Sequence, residues 1–146
     1  MTEEAFKQPA VTTDVVLIDK GSDPPEVLLV KRAHPPFAGC WALPGGFLEI
    51  DEGLMAGAAR ELAEETGLRG IELQQLGAFG KPDRDPRGRT ISIAYFGVMS
   101  RRAAPTAGSD ASAACWHRID QLPALAFDHA EIINVALRRA GDNRRT

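Results

Sequence analysis

The feature that most constrains this chain is a run of acids punctuated by glycines. Residues 49–65 hold six acids (Glu49, Asp51, Glu52, Glu61, Glu64, Glu65) and one base, Arg60, a net of −5 in a chain whose formal charge is −3. The rest of the chain is therefore mildly basic, at +2. Leu54–Thr66 reads as a helix, and Gly67 stands where a helix commonly ends on a residue in the left-handed conformation. At about 100° per residue, Met55, Ala59 and Leu62 fall on one apolar face, with Glu61, Glu64 and Glu65 in an arc beside it. Glu61 and Glu65 are i,i+4 neighbours, and like charges at that spacing weaken a helix. Arg60 can pair with Glu64 but cannot neutralise all three.

Two readings stay open on spacing alone. The run is either a solvated acidic face, the commoner fate of such a run, or a cradle for a hard divalent cation, which carboxylate oxygens suit. Gly45-Gly46 ahead of the run allows backbone to approach a ligand closely.

The bulk numbers set the frame. At 146 residues, 44% hydrophobic and 25% charged, the chain matches one ordinary globular domain with its own core. A pI of about 5.6 excludes a generally basic nucleic-acid-binding surface. Cys40 and Cys115 form no CxxC, so a paired-cysteine zinc site is excluded and a disulfide framework is not expected. The start, MTEEAFKQPA, is no signal peptide, and the apolar runs fall far short of the ~20 residues that span a bilayer. A cytoplasmic protein without a membrane or nucleic-acid partner is expected.

Thr12–Asp19 and Glu26–Arg32 read as strands of a hairpin turned by Gly21–Pro25. Trp41–Leu43 is a short apolar segment before a sharp loop at Pro44-Gly45-Gly46. Ile71–Phe79, Thr90–Met99 and Ala114–Arg118 read as strands, and Lys81–Arg89 and Arg101–Ser112 as loops. Asp128–Arg139 reads as an amphipathic helix. Residues 1–10 and 141–146 are expected to fray. Helices set between groups of strands argue a layered α/β domain with a mixed sheet.

The run Gly46-x5-Glu52-x7-Arg60-Glu61-Leu62-Ala63-Glu64-Glu65-Thr66-Gly67-Leu68 resembles the Nudix box, the loop–helix–loop signature of the Nudix hydrolases, at every specified position. The lead-in Trp41-Ala42-Leu43-Pro44-Gly45-Gly46 is similar to that of the family as well. The resemblance implies an α/β/α sandwich around a mixed sheet, in one domain over 1–146. It implies hydrolysis of a nucleoside diphosphate linked to another moiety, with Mg²⁺ or Mn²⁺ as cofactor. Carried over, Glu61, Glu64 and Glu65 match the metal-binding glutamates, Gly46 the glycine whose carbonyl joins them, Arg60 the arginine that orients a box glutamate, and Glu52 a supporting ligand. Glu64 is taken as the base that accepts the proton of the attacking water.

Pro82–Thr90, followed by Ser92, and Phe127-Asp128-His129 resemble patterns of the ADP-ribose pyrophosphatases in this superfamily. ADP-ribose, cleaved to AMP and ribose 5-phosphate, is therefore the expected substrate. Arg84, Arg87 and Arg89 are candidates for phosphate or ribose contacts, Arg32 for the diphosphate, and Trp41 and Phe47 for stacking on adenine. His34, His117 and His129 have no transition-metal spacing and read as structural or incidental. The C-terminal arginines suit a helix dipole better than RNA. The competing functions are a housecleaning hydrolase of modified nucleoside triphosphates and a non-catalytic ADP-ribose sensor. The intact box, and the absence of a winged-helix segment after it, favour catalysis. A homodimer is expected from the resemblance.

Overall fold

The computed structural model describes residues 8–100 and 111–145. Seven strands and two helices follow in the order β1 (Ala10–Asp19), β2 (Glu26–Arg32), β3 (Trp41–Ala42), β4 (Gly45–Phe47), α1 (Leu54–Thr66), β5 (Gln74–Phe79), β6 (Thr90–Met99), β7 (Ala111–Arg118) and α2 (His129–Arg145). Strand β1 lies at the centre. It runs parallel to β6 along its whole length and antiparallel to β2 and β4 at its two ends, so the sheet is mixed.

Val15, Val16, Leu17 and Ile18 are all fully buried. Val15 and Leu17 pack with Ala58 and Leu62 of α1, whereas Val16 and Ile18 pack with Ile132, Ile133 and Ala136 of α2. Successive side chains of a strand point to opposite faces, so a strand covered on both sides reads as an unbroken apolar run. This is the expected α/β/α sandwich.

The hairpin pairs β1 with β2 only at Ile18↔Val27 and Asp19↔Glu26. Beyond that point the two strands splay. Strand β4 takes up pairing with β1 at Thr12, Thr13 and Asp14, and β3 takes up pairing with β2 at Val30 and Lys31. A cleft opens in this splay.

Several expectations need correction. Gly45 and Gly46, expected in a sharp loop, are strand residues. Strand β5 starts at Gln74 rather than Ile71, and residues 8–10 lead directly into β1. Helix α2 runs on to Arg145, so 141–145 is helix and not a frayed tail. Residues 1–7 and 146 lie outside the described residues, as do 101–110 of the expected 101–112 loop; Ala111 already belongs to β7. The apolar face of α1 is not Met55, Ala59 and Leu62. Met55 and Ala59 are exposed, and the buried residues are Gly57, Ala58, Glu61, Leu62 and Thr66. Gly67 ends the helix as expected, at φ 78°, donating to the Ala63 carbonyl at 2.9 Å.

Candidate active site

A cavity of about 430 Å³ occupies the splay between β1 and β2, within the range of small-molecule sites. Its acidic wall is Glu61 and Glu65 of α1, facing Gly45 and Gly46 of β4. The glycines are required here by closeness of approach. A Cβ on Gly46 would stand 2.6 Å from the Glu61 carboxylate, and one on Gly45 would collide with the Thr13 carbonyl and Asp14 Oδ1. Glu65 Oε1 accepts the Gly45 N–H at 3.0 Å and ties the helix to the strand.

Arg60 organises the other acids. Its Nε and Nη2 donate to Glu52 at 2.6 and 2.9 Å, while Nη1 donates to both Glu61 and Glu64 at 3.1 Å. Nη2 also reaches the Phe47 carbonyl at 3.3 Å. The hydrogen bonds to Glu52 push the guanidinium still further above its usual range. Burial raises the Glu61 carboxyl; Arg60 pulls it back and the Glu64 charge pushes it up again. Glu64 is 58% exposed at its side chain and lies outside the cavity wall.

The donor set suits a hard cation: the Glu61 and Glu65 carboxylates stand against the backbone of two glycines, with a guanidinium beside Glu61. Among the described residues no three Asp, Glu, His or Cys side chains by themselves form a cage. Mg²⁺ seldom asks for one, since it takes one or two carboxylates and completes its shell with water and substrate phosphate.

The rest of the lining includes arginines and phenylalanines. Arg84 is buried and bidentate to Asp128, at 2.9 and 2.6 Å. Arg87 is bidentate to the buried Asp85, at 3.1 and 2.8 Å, and its guanidinium lies 5.0 Å from the Phe47 ring and 5.5 Å from the Phe127 ring. Arg32 stacks over Phe127 at 5.1 Å and donates to the Pro36 carbonyl at 2.7 Å. Burial and the neighbouring Arg87 lower its pKa.

Of the expected substrate contacts, Arg32, Phe47, Arg84 and Arg87 line the cavity. Trp41 does not: it packs against the α2 side of the core, 4.5 Å edge-on to His117. Arg89 is exposed and off the cavity. Sequence reasoning assigned no site role to Asp14, Asp85 and His129, all of which line the cavity, or to Ser92 and Asp128, which brace it. Asp14 carried a signal, as an acid set into an otherwise apolar central strand. His129, read as structural or incidental, is buried but lines the cavity, and burial holds its pKa down.

The NUDIX domain family matches residues 8–136. The chain is 42% identical to an ADP-ribose pyrophosphatase of Methanocaldococcus jannaschii, over 91% of this chain and 76% of that one. It is 33% identical to an ADPR responsive transcriptional repressor of Acinetobacter baylyi, over 96% of this chain but only 58% of the repressor. Among solved structures, the NUDIX domain of Shewanella oneidensis NrtR complexed with ADP ribose superposes with a TM-score of 0.86 at 36% identity, covering 96% of this chain and 94% of that one.

Proposed function

The chain belongs to the NUDIX domain family, as an ADP-ribose-pyrophosphatase-like Nudix hydrolase, and from that premise we propose that it cleaves ADP-ribose to AMP and ribose 5-phosphate with Mg²⁺ or Mn²⁺. The observation that carries this reading is the mixed lining of one cavity. The Glu61 and Glu65 carboxylates, suited to a cation, share a space of about 430 Å³ with three arginines and two phenylalanines. The similarity to the archaeal ADP-ribose pyrophosphatase supports the choice of substrate.

Glu65 and the Gly46 carbonyl would hold the cation, with Glu61 at its border, Glu52 behind Arg60, and Glu64, expected as a ligand, outside the cavity wall. When bound, the ion would neutralise the diphosphate and make a water acidic enough to attack it. The remaining work belongs to the chain. Arg32 and Arg87 grip the anion, and the exposed Phe47 ring offers a flat face to the nucleobase. For the base, the geometry favours Glu61 over the expected Glu64. Glu61 lines the cavity where Glu64 does not, and burial raises its carboxyl.

The similarity to the repressor and to the ADP-ribose-bound NrtR domain favours a second reading, a sensor that binds ADP-ribose without cleaving it. One experiment separates the readings. ADP-ribose, a nucleoside triphosphate and an oxidised deoxynucleoside triphosphate are each offered with Mg²⁺ or Mn²⁺, with binding followed by calorimetry and products by chromatography. We expect ADP-ribose to disappear as AMP forms. Binding without turnover supports the sensor, and release of pyrophosphate from a triphosphate supports the housecleaning hydrolase.

A further inference from the structure

The cavity floor holds a polar group that neither the cation nor the diphosphate uses. Asp14 is 6% exposed, yet it lines the cavity. Its Oδ2 is committed, accepting from Ser92 Oγ at 2.5 Å and from Thr12 Oγ1 at 3.4 Å. Its Oδ1 receives no hydrogen bond among the described residues. The imidazole of His129 faces it, with Nε2 at 3.7 Å, beyond hydrogen-bonding range.

The tautomer of that imidazole follows from the backbone. Leu43 N–H donates to His129 Nδ1 at 3.0 Å, so Nδ1 carries no proton and Nε2 does. An open acceptor and an open donor thus stand side by side, neither satisfied by the other. Neither atom is sealed inside the protein: the only fully enclosed side-chain polar atom without a partner, among the described residues, is Thr13 Oγ1. Both therefore open onto the cavity.

A hydroxyl group is the ligand that fits such a pair, because it can donate to the carboxylate and accept from the imidazole at once. A phosphate does not fit. It brings negative charge against a carboxylate in a poorly solvated floor, where like charges repel strongly. The nearby Arg84 gives little relief, being bidentate to Asp128.

We propose that Asp14 Oδ1 and His129 Nε2 form a ribose-hydroxyl subsite that selects a sugar-linked nucleoside diphosphate over a nucleoside triphosphate. This rests on the reading of the cavity as an ADP-ribose site and names the groups that make the choice. The carboxylate supplies the discrimination, and Ser92 and Thr12 hold it in place.

The test is steady-state kinetics on ADP-ribose and on ATP, for the wild type and for Asp14→Asn, with products resolved. Asparagine keeps the shape and removes the charge. Asparagine can still accept from the hydroxyl but without charge assistance, so KM for ADP-ribose is expected to rise about fivefold, with kcat changed less than about threefold. KM for ATP is expected to stay level or fall. The subsite is overturned if KM for ADP-ribose stays within about twofold of wild type, or if both substrates weaken in parallel. If Asp14→Asn does not fold, Ser92→Ala serves instead. It leaves the charge but frees Oδ2, and a weakening of ADP-ribose and not of ATP is again required. A wild type that binds ADP-ribose no better than ATP and cleaves none refutes the functional reading and the subsite with it. A wild type that cleaves ADP-ribose while Asp14→Asn keeps the same preference refutes the subsite alone.

Discussion

Gly46 and Glu61 show how tightly single residues are specified here. The carboxylate lies where a Cβ on Gly46 would have to be. Gly46→Ala is expected to displace Glu61 and cut kcat/KM by about tenfold or more, with a stability loss of about 1–3 kcal/mol from overpacking, measured by steady-state kinetics and urea unfolding. The three box glutamates are not equivalent. On the helix wheel Glu65 falls between Glu61 and Ala58, on the buried side, whereas Glu64 lies about 60° further round from Glu61 toward solvent. Glu61→Gln should therefore lower kcat by roughly 10²–10⁴, the usual range for a lost general base, and by more than Glu64→Gln does. Equal losses would return the proton to Glu64. The motif spacing made all these residues visible but did not reveal which of them face the cavity. An acid on the buried face of α1 breaks the apolar pattern, and the pattern alone then rotates the helix toward Met55 and Ala59.

At the scale of elements, the decisive link joins the 80–89 loop to the start of α2. Arg84 and Asp128 lie 44 positions apart and make two hydrogen bonds across almost fully buried surroundings. Burial by itself would raise the Asp128 carboxyl, but the Arg84 hydrogen bonds outweigh it and hold the group below the usual range. Removing one partner strands the other charge. Arg84→Ala is therefore expected to cost about 3 kcal/mol in denaturant unfolding. It should also raise KM for ADP-ribose, because the freed loop carries Arg87. The sequence showed a basic, turn-rich loop and a short Phe-Asp-His pattern, but not that they meet, since pairing across such a separation has no local signature. Long elements were legible for the opposite reason: β1 and β6 carry sustained apolar, β-branched runs, and the motif and Gly67 mark the extent of α1. Strand β4 was not, because two glycines and a phenylalanine carry none, and it exists only through its partner β1.

Across the whole molecule, the net charge of −3 conceals a cavity that gathers carboxylates and guanidinium groups of both signs in one lining. The histidine on its floor also sets a pH limit on the fold. Burial lowers the His129 pKa, so the unfolded chain takes up a proton there before the folded one does. Stability from this group is complete above the unfolded value, about 6.5, and is lost as pH falls below it. The slope is at most about 1.4 kcal/mol per pH unit. Glu61, raised by burial, acts in the opposite sense at lower pH. The difference between the wild type and His129→Gln in urea unfolding from pH 7 to pH 5 isolates the histidine, and should shrink as pH falls. Among the described residues no helix is long and apolar enough to cross a membrane.

The most direct test of the central claim is to incubate the wild-type protein with ADP-ribose and Mg²⁺, and in parallel with a chelator, and to quantify the products. The account predicts AMP and ribose 5-phosphate in equal amounts with the metal, and neither with the chelator. ADP-ribose recovered intact from a folded, metal-supplied protein would contradict it.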